Sequence, residues 1–289
     1  MTDAAQCPRC GAPLSRDASL EGLCPACLLR AALSDLAADA APASAAELAV
    51  DGRSYRLVTL LGQGPDGMVY LAEAQPPLPT FLAIKVLRPR FDSSSIVARY
   101  EAQHPKLSAL HHPCIAPTLH AGLTAAGQAY FVTEYVPGLA LDRYAERFRL
   151  AAADRITLVR QICEAIQHAH DRGIPHLNLK PSNIRVESIA TGPSARVIEF
   201  GVAASIRPAA SARGAEYPRG GAHEIGRGID DRSDCRADIH ALGVLLRTLV
   251  GSAVPAVDHV VQRALEEDPC LSYASAADLG HDLAEIIIS

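Results

Sequence analysis

The segment YRLVTLLGQGPDGMVYLAEA, residues 55–74, constrains the fold of this chain more than any other. It holds two strand-like apolar runs around a loop whose glycines, Gly62, Gly64 and Gly67, follow the spacing GxGxxG. Glycines spaced in this way let a backbone loop approach a phosphate group closely. A third strand-like run, TFLAIKVLRP, carries Lys85, and a later one reads AYFVTEYV. Beyond PGLALDRY the pattern becomes helical. DRITLVRQICEAIQHAHDRG places Ile156, Val159, Ile162, Cys163, Ile166 and Ala169 on one face, and Gly173 ends it. RADIHALGVLLRTLVG is apolar nearly all round and predicts a buried helix. A strand-rich front and a helix-rich back predict an α+β chain in two lobes.

Ahead of this region the cysteines matter most. Cys7, Cys10, Cys24 and Cys27 form two CxxC pairs, CPRC and CPAC, with 13 residues between them. Each pair offers two sulfurs, and a short ribbon can bring the four thiolates into a tetrahedral zinc site. Two disulfides or free thiols are the alternative, and a reducing compartment disfavours the disulfides. About 25 residues cannot bury a sufficient core, so the metal must supply the folding energy. Cys114, Cys163, Cys235 and Cys270 are scattered and read as small buried hydrophobes. The stretch 34–50 is rich in Ala, Pro and Ser and reads as a linker. The expected division is a zinc ribbon at 1–33, a linker at 34–50 and the two-lobed domain at 51–289.

Composition narrows the function. The chain has 289 residues and 49% hydrophobic content, ample for packed cores. Its net charge of −5 gives no general footprint for nucleic acid. There is no basic region followed by an apolar run at the start, and no apolar run reaches the 18 or so residues needed to cross a bilayer. The expectation is a soluble cytoplasmic protein with protein partners and no contact with nucleic acid or membrane.

In order along the chain, residues 55–285 resemble a bacterial Ser/Thr protein kinase domain, and the CxxC ribbon ahead of it resembles an architecture found in bacterial kinases. Gly62, Gly64 and Gly67 match the phosphate loop, followed by Val69. Ala83-Ile84-Lys85 matches the strand lysine, and Thr133-Glu134-Tyr135-Val136 matches the gatekeeper and the hinge that reads adenine. HLNLKPSN, residues 176–183, matches the catalytic loop, with Asn183 as the magnesium-binding Asn. Asp238 matches the structural Asp of the buried helix. His176, Phe200 and Leu107 match members of the hydrophobic spine that joins the lobes. The resemblance implies ATP and magnesium as cofactors.

The departures bear on chemistry. Leu177 and Asn178 replace the Arg and the catalytic Asp of that loop. An amide cannot take the substrate's proton at neutral pH, and such assistance is worth ~10²–10⁴ in rate. Glu199-Phe200-Gly201 replaces Asp-Phe-Gly; Glu is one methylene longer and can still ligate a cation, but magnesium demands near-ideal octahedral geometry. Gln103 occupies the position of the Glu that normally pairs the strand lysine, and Glu101 lies roughly 200° away around a helix. Pro105 in the same segment is expected to break the helix or start it, with His104 extended. Arg185 stands where an apolar side chain floors the adenine. It must swing out, or fill the pocket and meet Glu134, Glu199 or a ligand phosphate. Pro65 and Asp66 stiffen the phosphate loop and place negative charge in it. No helix of the usual length remains between LLRTLVG and VDHVVQRALEEDP.

Three readings follow. The first is a pseudokinase, a binding or regulatory module in which Asn178, Glu199 and Gln103 are degenerate catalytic positions. Nucleotide contacts by Gly62, Gly64, Gly67, Val69, Ala83, Lys85, Glu134, Val136 and Asn183 are then in doubt. The second is a weak or atypical Ser/Thr kinase using Lys85, Asn183 and Glu199. The third is a zinc-ribbon adaptor on a passive scaffold. Lys85 without its usual carboxylate predicts a direct ion pair with Glu199, the competing state being a solvated Lys85 in an open cleft.

Overall fold

The computed structural model describes residues 47–50, 53–74, 81–190, 192–206, 231–251 and 254–288. The strands β1 (Glu47–Val50), β2 (Arg53–Gln63), β3 (Gly67–Ala74) and β4 (Phe81–Leu87) come first, then helix α1 (Ser93–Leu107), β5 (Thr118–Leu123) and β6 (Ala129–Glu134). They form one sheet in the order β1-β2-β3-β4-β6-β5, antiparallel at every pairing. The second lobe has β7 (Leu139–Ala140), α2 (Leu141–Arg147), α3 (Ala152–His170), a 3₁₀ turn at Pro181–Asn183, β8 (Ile184–Ile189) and β9 (Gly192–Val197). It continues with α4 (Val202–Ile206), α5 (Asp231–Val250), α6 (Pro255–Ala264) and α7 (Ala276–Ile288). The expected two-lobed α+β arrangement is what forms.

Period-two alternation in β4 explains how the sheet serves the cleft. Leu82, Ile84 and Val86 are buried against Tyr55, Ala72, Tyr130 and Val132 in a core on one face. Ala83 and Lys85 therefore point to the other face, towards the second lobe. The register sets Val69 and Phe131 on either side of Lys85. In α3 the face foreseen from spacing is the buried one: Ile156, Val159, Ile162, Cys163, Ile166 and Ala169 all join the main core. Gly173 follows with φ 66°, a left-handed turn that glycine makes without strain.

Two features differ from expectation. Residues 47–50, read as the end of a linker, form β1 and pair with Arg53–Arg56. Asp51-Gly52 between them is a strong hairpin dipeptide, which outweighs the linker-like composition before it. Helix α1 also runs through Pro105 to Leu107 rather than breaking there, and His104 is helical. Asp92 caps its start by accepting from Ser95 N–H at 3.3 Å. Pro105 lies in the exposed last turn, where its missing N–H removes only one internal hydrogen bond. Tertiary ties hold that turn: the Tyr100 hydroxyl donates to Thr118 O at 3.0 Å, and the His104 ring lies 3.0 Å from Leu119 O.

Cys7, Cys10, Cys24 and Cys27 lie outside the described residues. Among the described residues, no group of His, Cys, Asp and Glu is arranged to hold a metal, and no helix is long and apolar enough to cross a membrane. Cys114 and Cys163 are buried, with thiols that burial pushes up. Cys270 is exposed and so is not the buried hydrophobe expected of it.

Candidate functional site between the lobes

At the centre of the cleft, Lys85 Nζ lies 2.8 Å from Glu199 Oε2. The strand β4 supplies the lysine, and the short link between β9 and α4 supplies the glutamate. Both side chains are 13% exposed, so each loses most of its water and each needs the other. Glu199 has φ 68°, a left-handed backbone that a Glu holds only when its surroundings fix it. Those surroundings are Phe200, which is buried, and Gly201, where a side chain would strike Leu107 at 2.4 Å. The Phe200 carbonyl accepts from the Thr118 hydroxyl at 3.0 Å. His176 packs edge-on to Phe200 with ring centres 4.8 Å apart. The spine residues expected from sequence thus meet.

Gln103 does not reach Lys85. Its amide turns back on its own helix and donates to Arg99 O at 3.3 Å. Glu101 is exposed.

The loop that carries Asn178 is fixed from below by a buried carboxylate. Asp238 on α5 accepts from the N–H groups of His176 at 2.7 Å and Leu177 at 2.8 Å, and from the His170 ring at 2.9 Å. Leu177 has φ 63°, which those bonds stabilise. The His176 ring donates through Nε2 to Ile198 O and accepts from Asn178 N–H at Nδ1, an arrangement that needs the neutral ring. Burial holds the His176 pKa down, in agreement. The Asn183 side chain donates to Asn178 O at 2.8 Å, and its own carbonyl accepts from Ile198 N–H at 3.0 Å. Asn178, Asn183 and Glu199 are therefore gathered in one place.

On the hinge side Val136 is buried. The Glu134 carboxylate turns towards Arg196 on β9 and makes a two-pronged pair, Nη1–Oε1 2.7 Å and Nη2–Oε2 2.8 Å. Arg196 also donates to Ile115 O at 3.2 Å. A planar guanidinium suits this two-pronged geometry, and the pair ties the second lobe to the hinge. Arg185 meets neither Glu134 nor Glu199, as expectation had offered. Its guanidinium donates to the Gly138 carbonyl at the end of the hinge. It is half-buried, and burial holds its pKa below the ordinary range.

Two positions at the tip of the phosphate loop offer no free donor. Such loops hold anions through backbone N–H groups. Here Gly64 N–H is bonded to Gly67 O at 2.9 Å, Pro65 has no N–H, and Asp66 adds a carboxylate. Gly67 has no room for a side chain, since a Cβ would lie 2.0 Å from Val86 O. Gly62, in β2, pairs with Val69.

Arg196, Arg88, Arg90 and the tie from His170 to Asp238 are the contributors that sequence reasoning missed. Arg196 and Glu134 are 62 positions apart, and no local pattern pairs them.

With this geometry in hand, the chain was compared with known proteins. A family model described as the protein kinase domain matches residues 55–272. Serine/threonine-protein kinase pkn2 of Myxococcus xanthus is 29% identical over 249 residues, which cover 84% of this chain and 29% of that protein. Serine/threonine-protein kinase PknB of Mycobacterium tuberculosis is 31% identical over 251 residues, covering 81% of this chain and 39% of that protein. The chain thus spans about a third of the length of these curated relatives. A crystal structure of the Mycobacterium tuberculosis PknI kinase domain superposes with a TM-score of 0.63 at 25% identity, covering 86% of this chain and all of that one. The chain therefore belongs to the protein kinase domain family and is a bacterial Ser/Thr protein kinase domain by descent.

Proposed function

We propose that this domain is a pseudokinase, a protein-binding or regulatory module in which phosphoryl transfer is impaired or absent. The Lys85–Glu199 ion pair carries this reading. In it the cation that would hold a phosphate and the carboxylate that would hold a metal neutralise each other. Other observations point the same way. Asn178 offers an amide where proton acceptance is needed. Gln103 gives Lys85 no alternative carboxylate. Gly64 and Pro65 offer the loop tip no free N–H, and Arg185 donates to the Gly138 carbonyl at the end of the hinge. Magnesium and ATP, which the family normally uses, do not fit this donor set, and no reaction step is assigned through them.

Relatives named as kinases and the intact placement of Asn183 favour a second reading, a weak or atypical Ser/Thr kinase that uses Lys85, Asn183 and Glu199. The four N-terminal cysteines support a structural zinc ribbon at 1–33, which in a third reading is the adaptor itself. Protein partners and a cytoplasmic setting complete the proposal. Transfer of labelled phosphate from ATP to itself or to a generic basic substrate separates the first two readings. The expected incorporation is that of a protein-free blank. Incorporation that Lys85→Met abolishes would establish the second reading. Deleting residues 1–33 without effect on partner capture would dispose of the third.

A further inference from the structure

The glycine loop carries contacts that neither a catalytic nor a binding role explains. Five contacts from the end of β4 converge on its tip. Arg88 N–H donates to Asp66 O at 2.9 Å. The Arg88 guanidinium donates to Pro65 O at 3.1 Å and Gly64 O at 3.2 Å. Arg90 donates to Pro65 O at 2.8 Å and lies 3.6 Å from the Asp66 carboxylate. Arg90 is itself placed by Phe91, with the guanidinium carbon 4.8 Å from the ring centre. Phe91 in turn packs on the main core. Thus the two residues that depart from the usual loop, Pro65 and Asp66, are the two that Arg90 engages.

We propose that Arg88 and Arg90 form a clasp that fixes the tip of the glycine loop against the end of β4, so that the loop keeps one position with no phosphate group to hold it. Glycine-rich loops over nucleotides ordinarily move to close on their ligand. Here the outward carbonyls of Gly64 and Pro65 are already taken by charged donors, which make stronger hydrogen bonds than neutral ones. Pro65 removes a donor and fixes one backbone angle, lowering the number of shapes open to the released loop. Gly67, at the start of β3, seats the loop's base closely on Val86 of the neighbouring strand β4, two residues before Arg88. The result is a roof over the cleft that is rigid by construction. A binding module gains from this, because its first-lobe surface stays the same whatever nucleotide is present. The clasp is independent of whether the domain transfers phosphate, so the two tests fail separately.

Hydrogen exchange on the full chain without nucleotide tests it, comparing the native protein with R88A/R90A. Amides of residues 60–68 are expected to exchange about tenfold faster in the double variant, while those of 156–169 in α3 keep their rates. Loop rates equal in the two proteins, or raised only in step with α3, would overturn the clasp.

Discussion

Lys85 and Glu199 are each other's charge partner across the cleft, 2.8 Å apart and 114 residues apart in sequence. The pair explains how a buried ammonium is tolerated once Gln103 has replaced its usual carboxylate. Removing one partner leaves the other charge desolvated and alone. Lys85→Met and Glu199→Gln are each expected to destabilise by on the order of 3 kcal/mol, and the double variant by much less than their sum. Urea unfolding of the four proteins checks this. Additive effects, or single variants with native stability, would mean that the two side chains are not coupled.

Asp238 holds the loop around Leu177 and Asn178 through three donors. Asp238→Ala leaves the buried N–H of His176 and the half-buried N–H of Leu177 without acceptors, and the expected loss is about 3 kcal/mol. His170→Ala removes one donor and leaves the carboxylate two, so its effect should be smaller. Equal losses in the two variants would contradict this ranking.

Acid should weaken the fold through three histidines. Burial holds His112, His168 and His176 below 6.5. Between their folded and unfolded values the unfolded chain binds more protons, so stability rises with pH there. Their contribution is complete above 6.5 and is lost progressively as pH falls below it. The His112 and His168 rings stand 5.2 Å apart and repel once charged. Glu187 works in the opposite direction, because burial raises it, but its starting point of 4.5 is lower. The urea midpoint is therefore expected to fall between pH 7 and pH 5.5, with wild-type protein showing a steeper fall than His112→Asn. A midpoint that is flat or rises over that range would refute the assignment.

The four N-terminal cysteines predict one zinc per chain. Metal analysis of protein purified without chelator should find it. Chelation should leave the melting of the kinase domain unchanged while exposing four reactive thiols. Protein without zinc would remove the ribbon from the account.

Much of the fold was legible from sequence because its signals were local. The helix α3 showed its buried face by spacing alone, and β4 showed its alternation. The Lys85–Glu199 pair was legible for a different reason: the motifs fall in order, and the loss at position 103 left one charge to be satisfied. What escaped depended on tertiary context. Pro105 read as a break because its local cost is real. That cost falls in an exposed last turn, and Tyr100 and His104 hold the turn from β5. The strand β1 was obscured by the Ala-rich composition before it. Arg185 was foreseen as a problem, but its partner was not. Its acceptor is a backbone carbonyl at Gly138, and of the two carboxylates offered for it Glu134 pairs with Arg196 and Glu199 with Lys85. Backbone acceptors and distant pairs leave no trace in spacing.

If the Lys85–Glu199 pair satisfies the cleft, magnesium with ATP is not taken up. A thermal-shift titration of the full chain with ATP, run with and without magnesium, reads this out. A ligand bound at 100 times its Kd stabilises by about 2.7 kcal/mol, which is a shift of several degrees in a domain of this size or smaller. No magnesium-dependent rise in Tm is expected at ATP concentrations up to the millimolar range. A rise at micromolar ATP that requires magnesium and vanishes in Lys85→Met would contradict it.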